Sequence, residues 1–192
     1  MPTPLDFSQV ASTDISTQQA IEAFGRIALP RLVAHDAMGL ELGVATGYFS
    51  NALLSVGNFA RLYSIDAWSD HHDTAEYLRC INLLAKHANR SVVMRMFFAD
   101  ALLHFPDGFF DFIYVDAYAH TGQQDGRLLS DWYPKLRSGG LFAGHDYDPA
   151  AWPQTVVAVD RFAAAIGKRL EFVPGASTGF AEDIYASWYF YK

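Results

Sequence analysis

The chain has 192 residues and a formal net charge of −7, and hydrophobic residues make up 51% of it against 18% charged residues. This length fits one domain with a continuous core, and the composition excludes a disordered chain. No cluster of lysine and arginine appears along the sequence, so we expect a small-molecule substrate and no nucleic-acid partner.

Cysteine usage and the first residues indicate the compartment. The single cysteine, Cys80, cannot form an intramolecular disulfide, which is consistent with a reducing environment, and we expect it to pack as a small buried hydrophobe. The first ten residues lack the basic and apolar segments of a signal peptide. No apolar run approaches the roughly 20 residues that cross a bilayer. The sequence therefore predicts a cytoplasmic protein without a membrane partner.

Segments of strand length alternate with segments of helical period along the chain. The predicted strands cover residues 39–44, 61–65, 92–98, 110–115, 140–144, 170–173 and 184–191. The predicted helices cover residues 17–35, 46–56, 74–87, 123–137 and 154–166. Pro30 is expected to kink or split the first of these helices.

This alternation predicts an α/β fold. The early strands are apolar nearly throughout, which is typical of parallel strands covered by helices on both faces. We therefore expect a doubly wound, Rossmann-like sheet of seven mostly parallel strands. The segment at 174–183 shows no helical pattern, so the last two strands should pair and the last strand should run antiparallel. Residues 1–192 are predicted to form one domain, in which residues 1–37 are a helical segment packing on or over the site.

Polar or small residues end the first five predicted strands. They are Glu41 and Gly43, then Asp66, Asp100, Asp116, and finally His145 with Asp146. The carboxyl ends of parallel strands share one rim, where open α/β sheets bind ligands. Such acids can also serve only as caps of the following helices. So many carboxylates on one edge repel each other unless a ligand or cation compensates, which favours a binding site.

The turn after the first strand is rich in small residues and predicts a close approach of the backbone to a ligand. A dinucleotide-binding G-x-G-x-x-G turn would need glycine where Ala45 and Tyr48 stand. Asp66, at the end of the next strand, can bind the hydroxyls of a ribose. The pattern thus predicts a nucleoside-containing ligand and argues against a dinucleotide-dependent oxidoreductase.

With these motifs in this order, the sequence resembles a class I S-adenosylmethionine-dependent methyltransferase. The resemblance implies that the turn holds the methionine part of the cofactor, that Asp66 holds the ribose, and that Asp100 meets the adenine. Trp68 would stack on the adenine or serve only in packing. The implied cofactor-binding residues are Glu41, Gly43, Ala45, Gly47, Asp66, Ala67, Trp68, Asp100, Ala101 and Asp116.

A narrower resemblance links residues 110–120 and 132–147 to sugar and small-molecule O-methyltransferases. It implies a divalent metal between Asp116, His145 and Asp146, although the imidazole departs from the usual oxygen ligands and favours zinc, manganese or iron over magnesium. Without a metal, Asp116, His120 or His145 would act as general base. We hypothesise that Asp116, His145 and Asp146 hold a cation or the substrate hydroxyl, and that His120 helps from the following loop or else caps a helix.

Two other functions stay open at this point. One is a metal-dependent, hydroxylase-like enzyme on the same fold, and the other is a binding protein for S-adenosylmethionine or a nucleoside without turnover. The acceptor atom (oxygen, nitrogen or carbon) and the substrate are not fixed by the sequence. The aromatic strand near residue 190 is explained equally by a homodimer interface and by core packing.

Overall fold

A computed structural model describes residues 6–12, 14–175 and 183–192 of the chain. Its centre is a seven-stranded sheet in the order β3-β2-β1-β4-β5-β7-β6. The strands are β1 Ala37–Leu42, β2 Phe59–Asp66, β3 Ser91–Arg95, β4 Phe110–Val115, β5 Leu136–Gly144, β6 Glu171–Val173 and β7 Ser187–Tyr191. The first five strands pair in parallel, whereas β7 runs antiparallel to both β5 and β6. The predicted fold class is confirmed.

Helices cover both faces of this sheet. They are α1 Phe7–Ala11, α2 Thr17–Phe24, α3 Tyr48–Val56, α4 Thr74–Leu84, α5 Phe98–Ala101, α6 Gly122–Asp125, α7 Arg127–Trp132 and α8 Pro153–Ala165. Tighter 3₁₀ turns occupy Gly25–Leu32, Ala85–Arg90, Leu102–His104, Ala119–Thr121 and Tyr133–Lys135. Within the described ranges, no helix is long and apolar enough to span a bilayer.

Alternating side chains of the central strands divide the core into two layers. In β4, Phe112 and Tyr114 pack with α1 to α4 on one face, while Ile113 and Val115 pack with α5, α7 and α8 on the other. Cys80 is fully buried in the first layer, as predicted. The sheet is therefore buried on both sides, which leaves its carboxyl rim as the place for chemistry.

The strand register aligns the ends of four strands. Leu42 pairs with Ile65 on one side and Val115 on the other, and Val115 pairs with Gly144. The next residue along each strand therefore stands at the same height: Gly43, Asp66, Asp116 and His145. Strands β1 to β3 are added toward one edge of the sheet, whereas β4 and β5 are added toward the other edge. The strand order therefore changes direction between β1 and β4, and this row of residues borders that topological switch point.

Three predicted elements differ from the structure. The strand predicted at 92–98 ends at Arg95, because Phe98 begins α5 and buries its ring in the second layer. The helix predicted at 123–137 is divided by left-handed residues from Gln123 to Gly126, and Leu136 already belongs to β5. The helix predicted at 17–35 ends at Phe24 and continues as the 3₁₀ turn that contains Pro30.

Candidate active site

Two neighbouring cavities open at the carboxyl rim. The β2 cavity, of about 220 Å³, lies beside the end of β2 and is lined by Asp66, Met96, Phe97 and Tyr118, among others. The β5 cavity, of about 310 Å³, lies beside the end of β5 and is lined by residues including Arg26, Tyr48, His145 and Tyr185. The two cavities share Gly43, His72, Asp116, Asp146 and Trp152. A two-part ligand or two adjacent ligands can therefore meet at Asp116.

The turn after β1 forms the floor between the cavities, and two glycines set its shape. Gly43 has a φ of +88°, and a Cβ there would lie 2.0 Å from the backbone oxygen of Asp116. Gly47 has a φ of +81°, and a Cβ there would lie 2.8 Å from Sγ of Cys80. Both positions need the left-handed conformation and lack room for a side chain. The backbone at Gly43 is consequently open to both cavities.

Asp66 joins this turn to β2. Its Oδ2 accepts hydrogen bonds from the amides of Val44 (2.9 Å) and Ala45 (3.1 Å), and its Oδ1 accepts one from the amide of Trp68 (3.0 Å). A carboxylate has about four acceptor positions, so roughly one is left for a ligand. Asp66 lines the β2 cavity, so its remaining acceptor position can accept a hydrogen bond from a ribose hydroxyl. Its other hydrogen bonds hold the turn in place.

Glu41 lies beneath the turn and is almost fully buried. The hydroxyl of Ser50 donates to its Oε2, and the hydroxyl of Ser64 lies 2.8 Å from that of Ser50. Burial raises the pKa of Glu41 from 4.5 to about 8, against the opposing effect of the Ser50 hydrogen bond. At neutral pH this side chain is consequently a neutral acid that lines the β5 cavity.

Arg26 is the site residue that sequence reasoning missed. It comes from the 3₁₀ turn after α2 and is only 5% exposed. Its Nη1 lies 2.6 Å from Oδ2 of Asp116 and its Nε lies 2.5 Å from Oδ1 of Asp183. The guanidinium also stands 4.6 Å above the ring of Phe49. The compensating cation that the crowded rim requires is thus supplied, for Asp116, by the chain itself.

His145 completes the cluster. Its Nδ1 lies 3.1 Å from Oδ1 of Asp146 and 3.4 Å from Oδ1 of Asp116. Carboxylates only accept hydrogen bonds, so Nδ1 is the donor and Nε2 is left as the functional nitrogen. Nε2 is buried and has no hydrogen-bond partner among the residues that the structure describes. The ring is held by two carboxylates with its other nitrogen unpaired, as a general base requires.

Three charges compete over the protonation of His145. Burial and the positive charge of Arg26 lower its pKa, but Asp116 and Asp146 outweigh both and raise the pKa above its ordinary value of 6.5. Burial raises the pKa of Asp116, yet His145 and Arg26 together hold it well below its usual range. Asp116 is therefore ionised throughout the physiological range.

The structure brings together the predicted metal ligands, since Asp116, His145 and Asp146 each place a ligand atom within 4.8 Å of the others. Their surroundings do not fit a divalent ion, however. Oδ2 of Asp116 is paired with Arg26, and Nδ1 of His145 carries a proton that a metal would have to displace. A metal here would also stand close to a guanidinium that stays charged.

The remaining predicted site residues fall into two groups. Ala67 lines the β2 cavity, Ala45 lines the β5 cavity, and His120 lies exposed on the 3₁₀ turn after β4, where it lines the β2 cavity. By contrast, Asp100 is exposed within α5 and, like Ala101, is not part of either cavity wall. Trp68 is 1% exposed, donates from Nε1 to the carbonyl of Ala45 (2.8 Å) and packs on Tyr77, so its role is packing.

Sequence reasoning also missed the aromatic walls of both cavities. Met96, Phe97 and Phe98 were assigned to a strand, although they bend into the β2 cavity. Trp152 and Tyr185 come from the loops before α8 and β7 and line the β5 cavity. The available signal for Arg26 was its position as the one charged residue within the apolar run Phe24–Pro30, which is unusual for a solvated arginine.

Comparison with known proteins agrees with this geometry. The sequence profile of the family described as "Methyltransferase domain" matches residues 38–147, which is more than half of the chain. No curated protein sequence matches. Solved structures share the fold at low sequence identity. An O-methyltransferase from Bacillus cereus, in complex with SAH, has a TM-score of 0.65 at 15% identity over 100% of this chain and 94% of its own.

Two further structures widen the chemistry seen on this fold. Precorrin-6y C5,15-methyltransferase from Geobacter metallireducens has a TM-score of 0.64 at 14% identity, covering 95% of this chain and 92% of its own. Spermidine synthase from Thermotoga maritima has a TM-score of 0.67 at 14% identity, covering 92% of this chain and 59% of its own. By sequence profile the chain belongs to the methyltransferase-domain family, and its fold is the Rossmann-like fold of class I S-adenosylmethionine-dependent methyltransferases.

Proposed function

We propose that the chain transfers a methyl group from S-adenosylmethionine to a hydroxyl oxygen of a small molecule. One observation carries the choice of oxygen: an imidazole held by two carboxylates lines the cavity beside the glycine turn, with Nε2 unpaired among the described residues. Methylation of a hydroxyl needs an acceptor for its proton, and this arrangement provides one. The O-methyltransferase from Bacillus cereus is one example of oxygen methylation on this fold.

The β2 cavity is the proposed site of the adenosine part of the cofactor. Asp66 has roughly one acceptor position left for a ribose hydroxyl, and Met96, Phe97 and Phe98 offer an apolar surface for the base. Asp100 is not included, because it lies outside the cavity wall. When bound, S-adenosylmethionine supplies an electrophilic methyl group on a sulfonium sulfur and leaves as the neutral thioether S-adenosylhomocysteine.

The residues around Asp116 carry out the proton chemistry. His145 Nε2 accepts the proton of the acceptor hydroxyl as the new oxygen–carbon bond forms, and Asp146 and Asp116 stabilise the resulting imidazolium through Nδ1. Because both carboxylates raise its pKa, the neutral imidazole that can act as a base is favoured at a higher pH than for an ordinary histidine. Glu41 does not serve as the base, because its carboxyl group already carries a proton at neutral pH.

The β5 cavity is the proposed acceptor site. Its aromatic members, Tyr48, Phe49, Trp152 and Tyr185, suit a flat ring, and its volume of about 310 Å³ lies at the lower end of small-molecule sites. Trp152 Nε1 has no hydrogen-bond partner within the described ranges, and this nitrogen can only donate. The cavity therefore suits a hydroxylated aromatic or similar ring that carries a second acceptor atom.

Calorimetry and product analysis test this proposal. S-adenosylhomocysteine should bind the purified protein with micromolar affinity, and a panel of phenols and sugars should yield an O-methylated product identified by mass spectrometry and NMR. His145→Gln should retain cofactor binding and lose at least a hundredfold in turnover. His104→Gln alters an exposed histidine outside both cavities and should leave the rate unchanged. Products methylated only on nitrogen or carbon, or full activity of His145→Gln, would refute the proposal.

A further inference from the structure

The most unusual feature of the acceptor site is a buried arginine bound on two sides. Arg26 joins Asp116, at the end of β4, to Asp183, which precedes β7 and is 2% exposed. Nothing in the family assignment explains a guanidinium at this position. Arg26 lines the acceptor cavity, and an arginine side chain stays charged at all physiological pH values. The wall of this cavity therefore carries a fixed positive charge.

We propose that Arg26 is the resident cation of the acceptor site, so that this enzyme needs no metal ion and methylates isolated hydroxyl groups as well as vicinal diols. This inference rests on the proposed O-methylation and assigns Arg26 as a positioning residue for it. Arg26 acts on Asp116, and Asp116 in turn faces the imidazole of His145 at 3.4 Å.

The argument against a metal follows from the contacts of Asp116. Its Oδ2 lies 2.6 Å from Nη1 of Arg26, and its Oδ1 faces Nδ1 of His145. A divalent ion bound to this carboxylate would stand next to the guanidinium, in a buried place where like charges repel strongly. Two further contacts hold Arg26 in this position, since its Nε is bound by Asp183 and its guanidinium packs over the ring of Phe49. The predicted ligand set is thus already satisfied by the chain.

The substrate class follows from the same contacts. A metal ion orients a substrate through the oxygens that it coordinates, so a site that relied on one would favour substrates with two neighbouring oxygens. The cavity wall contains one imidazole, that of His145, whose buried Nε2 has no hydrogen-bond partner among the described residues, and ring surfaces such as Trp152 and Tyr185 supply the remaining contact. A second hydroxyl next to the first is therefore unnecessary for binding or for reaction.

Metal binding can be tested without any activity. Chelator-treated protein, with and without S-adenosylhomocysteine, is titrated with Mn²⁺ while the signal of the free ion is followed by electron paramagnetic resonance. The proposal expects no stoichiometric binding below millimolar Mn²⁺. Stoichiometric binding that Asp116→Asn abolishes would overturn it, whether or not a substrate has been found, and so separates this failure from a failure of O-methylation.

The role of Arg26 is tested by chemical rescue. Arg26→Ala should keep S-adenosylhomocysteine binding within about threefold but lose at least a hundredfold in kcat, and millimolar guanidinium should restore at least a tenth of it. Urea, which has the same shape without the charge, should restore nothing. Arg127→Ala removes an arginine whose side chain is 75% exposed, and should respond to neither. Equal effects of guanidinium and urea would contradict the proposal.

Arg26→Lys and a substrate pair keep the test decisive if the alanine variant does not fold. The lysine keeps the charge but can bind only one of the two carboxylates at full strength, so kcat should fall about tenfold with KM nearly unchanged. For the wild-type protein in excess chelator, a monohydroxylated ring and its vicinal diol should react within tenfold of each other. Methylation of the diol alone, or only with added metal, would refute the inference.

Discussion

Glu41→Gln is the substitution whose effect the structure defines most sharply. Glutamine has the shape of the neutral acid and keeps an oxygen that can accept the hydrogen bond of Ser50. The exchange therefore removes the ability to ionise and leaves the packing beneath the turn almost unchanged. We expect a variant whose stability is close to that of the wild type at pH 4 and exceeds it by a growing amount as the pH rises to 8.

The magnitude follows from proton linkage. The pKa of Glu41 is about 8 in the folded protein and has an ordinary value of 4.5. Between these values the folded state retains a proton that the unfolded state releases, so stability is fully present below pH 4.5 and is lost as the pH rises toward 8. The loss is about 1.4 kcal/mol for each pH unit and reaches about 5 kcal/mol in total, as an upper limit.

Denaturation in urea at pH 5, 6, 7 and 8 measures this effect. The quantity of interest is the free energy of unfolding of Glu41→Gln minus that of the wild type, because other titrating groups cancel in the difference. It should grow by more than 1 kcal/mol per pH unit over this range. Glu22→Gln, at an exposed position in α2, should show no such trend. Parallel curves for Glu41→Gln and the wild type would show that the carboxyl ionises normally and would refute the reasoning.

Three other substitutions test the turn and the base. Gly43→Ala should prevent folding, because its Cβ would lie 2.0 Å from a backbone oxygen. Gly139 also has a positive φ but has open space around it, so Gly139→Ala should lower the free energy of unfolding by only about 1–2 kcal/mol in urea denaturation. Similar losses for the two variants would contradict this reasoning. Asp66→Asn should weaken S-adenosylhomocysteine binding at least tenfold by calorimetry. It should also lower the Tm, because the substitution disturbs three hydrogen bonds from backbone amides. Weaker binding with an unchanged Tm would show that the turn does not depend on the Asp66 carboxylate. Asp146→Asn removes a carboxylate 3.1 Å from Nδ1 and should lower the pKa of His145, which moves the rising limb of the pH–rate profile to lower pH. An unmoved limb would exclude His145 as the group that takes the proton.

The row of residues at the rim was predictable from the sequence because strand order and strand ends suffice to define it. Gly43, Asp66, Asp116 and His145 each directly follow a strand, and parallel pairing brings such residues to one height whatever the loops do. Asp100 was misplaced for a definite reason. Met96, Phe97 and Phe98 form an apolar run, and periodicity alone does not distinguish a strand from the start of a buried helix.

Arg26 was not predictable in the same way. Its partners Asp116 and Asp183 lie 90 and 157 positions away in the sequence, and no local pattern connects them. The neutral state of Glu41 was equally hidden, since it depends on complete burial beneath the turn. The number of acids at the rim predicted a compensating ligand or cation. The sequence does not show which basic residue of the chain lies next to those acids, so Arg26 could not be identified as that cation.

The contact between Arg26 and Asp183 has a consequence for the making of the protein. At the usual pace of translation, about 5–20 residues per second, the arginine waits roughly 8–30 seconds before its aspartate partner has been synthesised. Contacts of such long range also close late during folding, because the intervening chain must first be ordered. A partly made chain can thus form the parallel strands and the glycine turn while the β5 cavity is still incomplete. The proposed cofactor side of the rim is therefore synthesised before the contact that completes the proposed acceptor site.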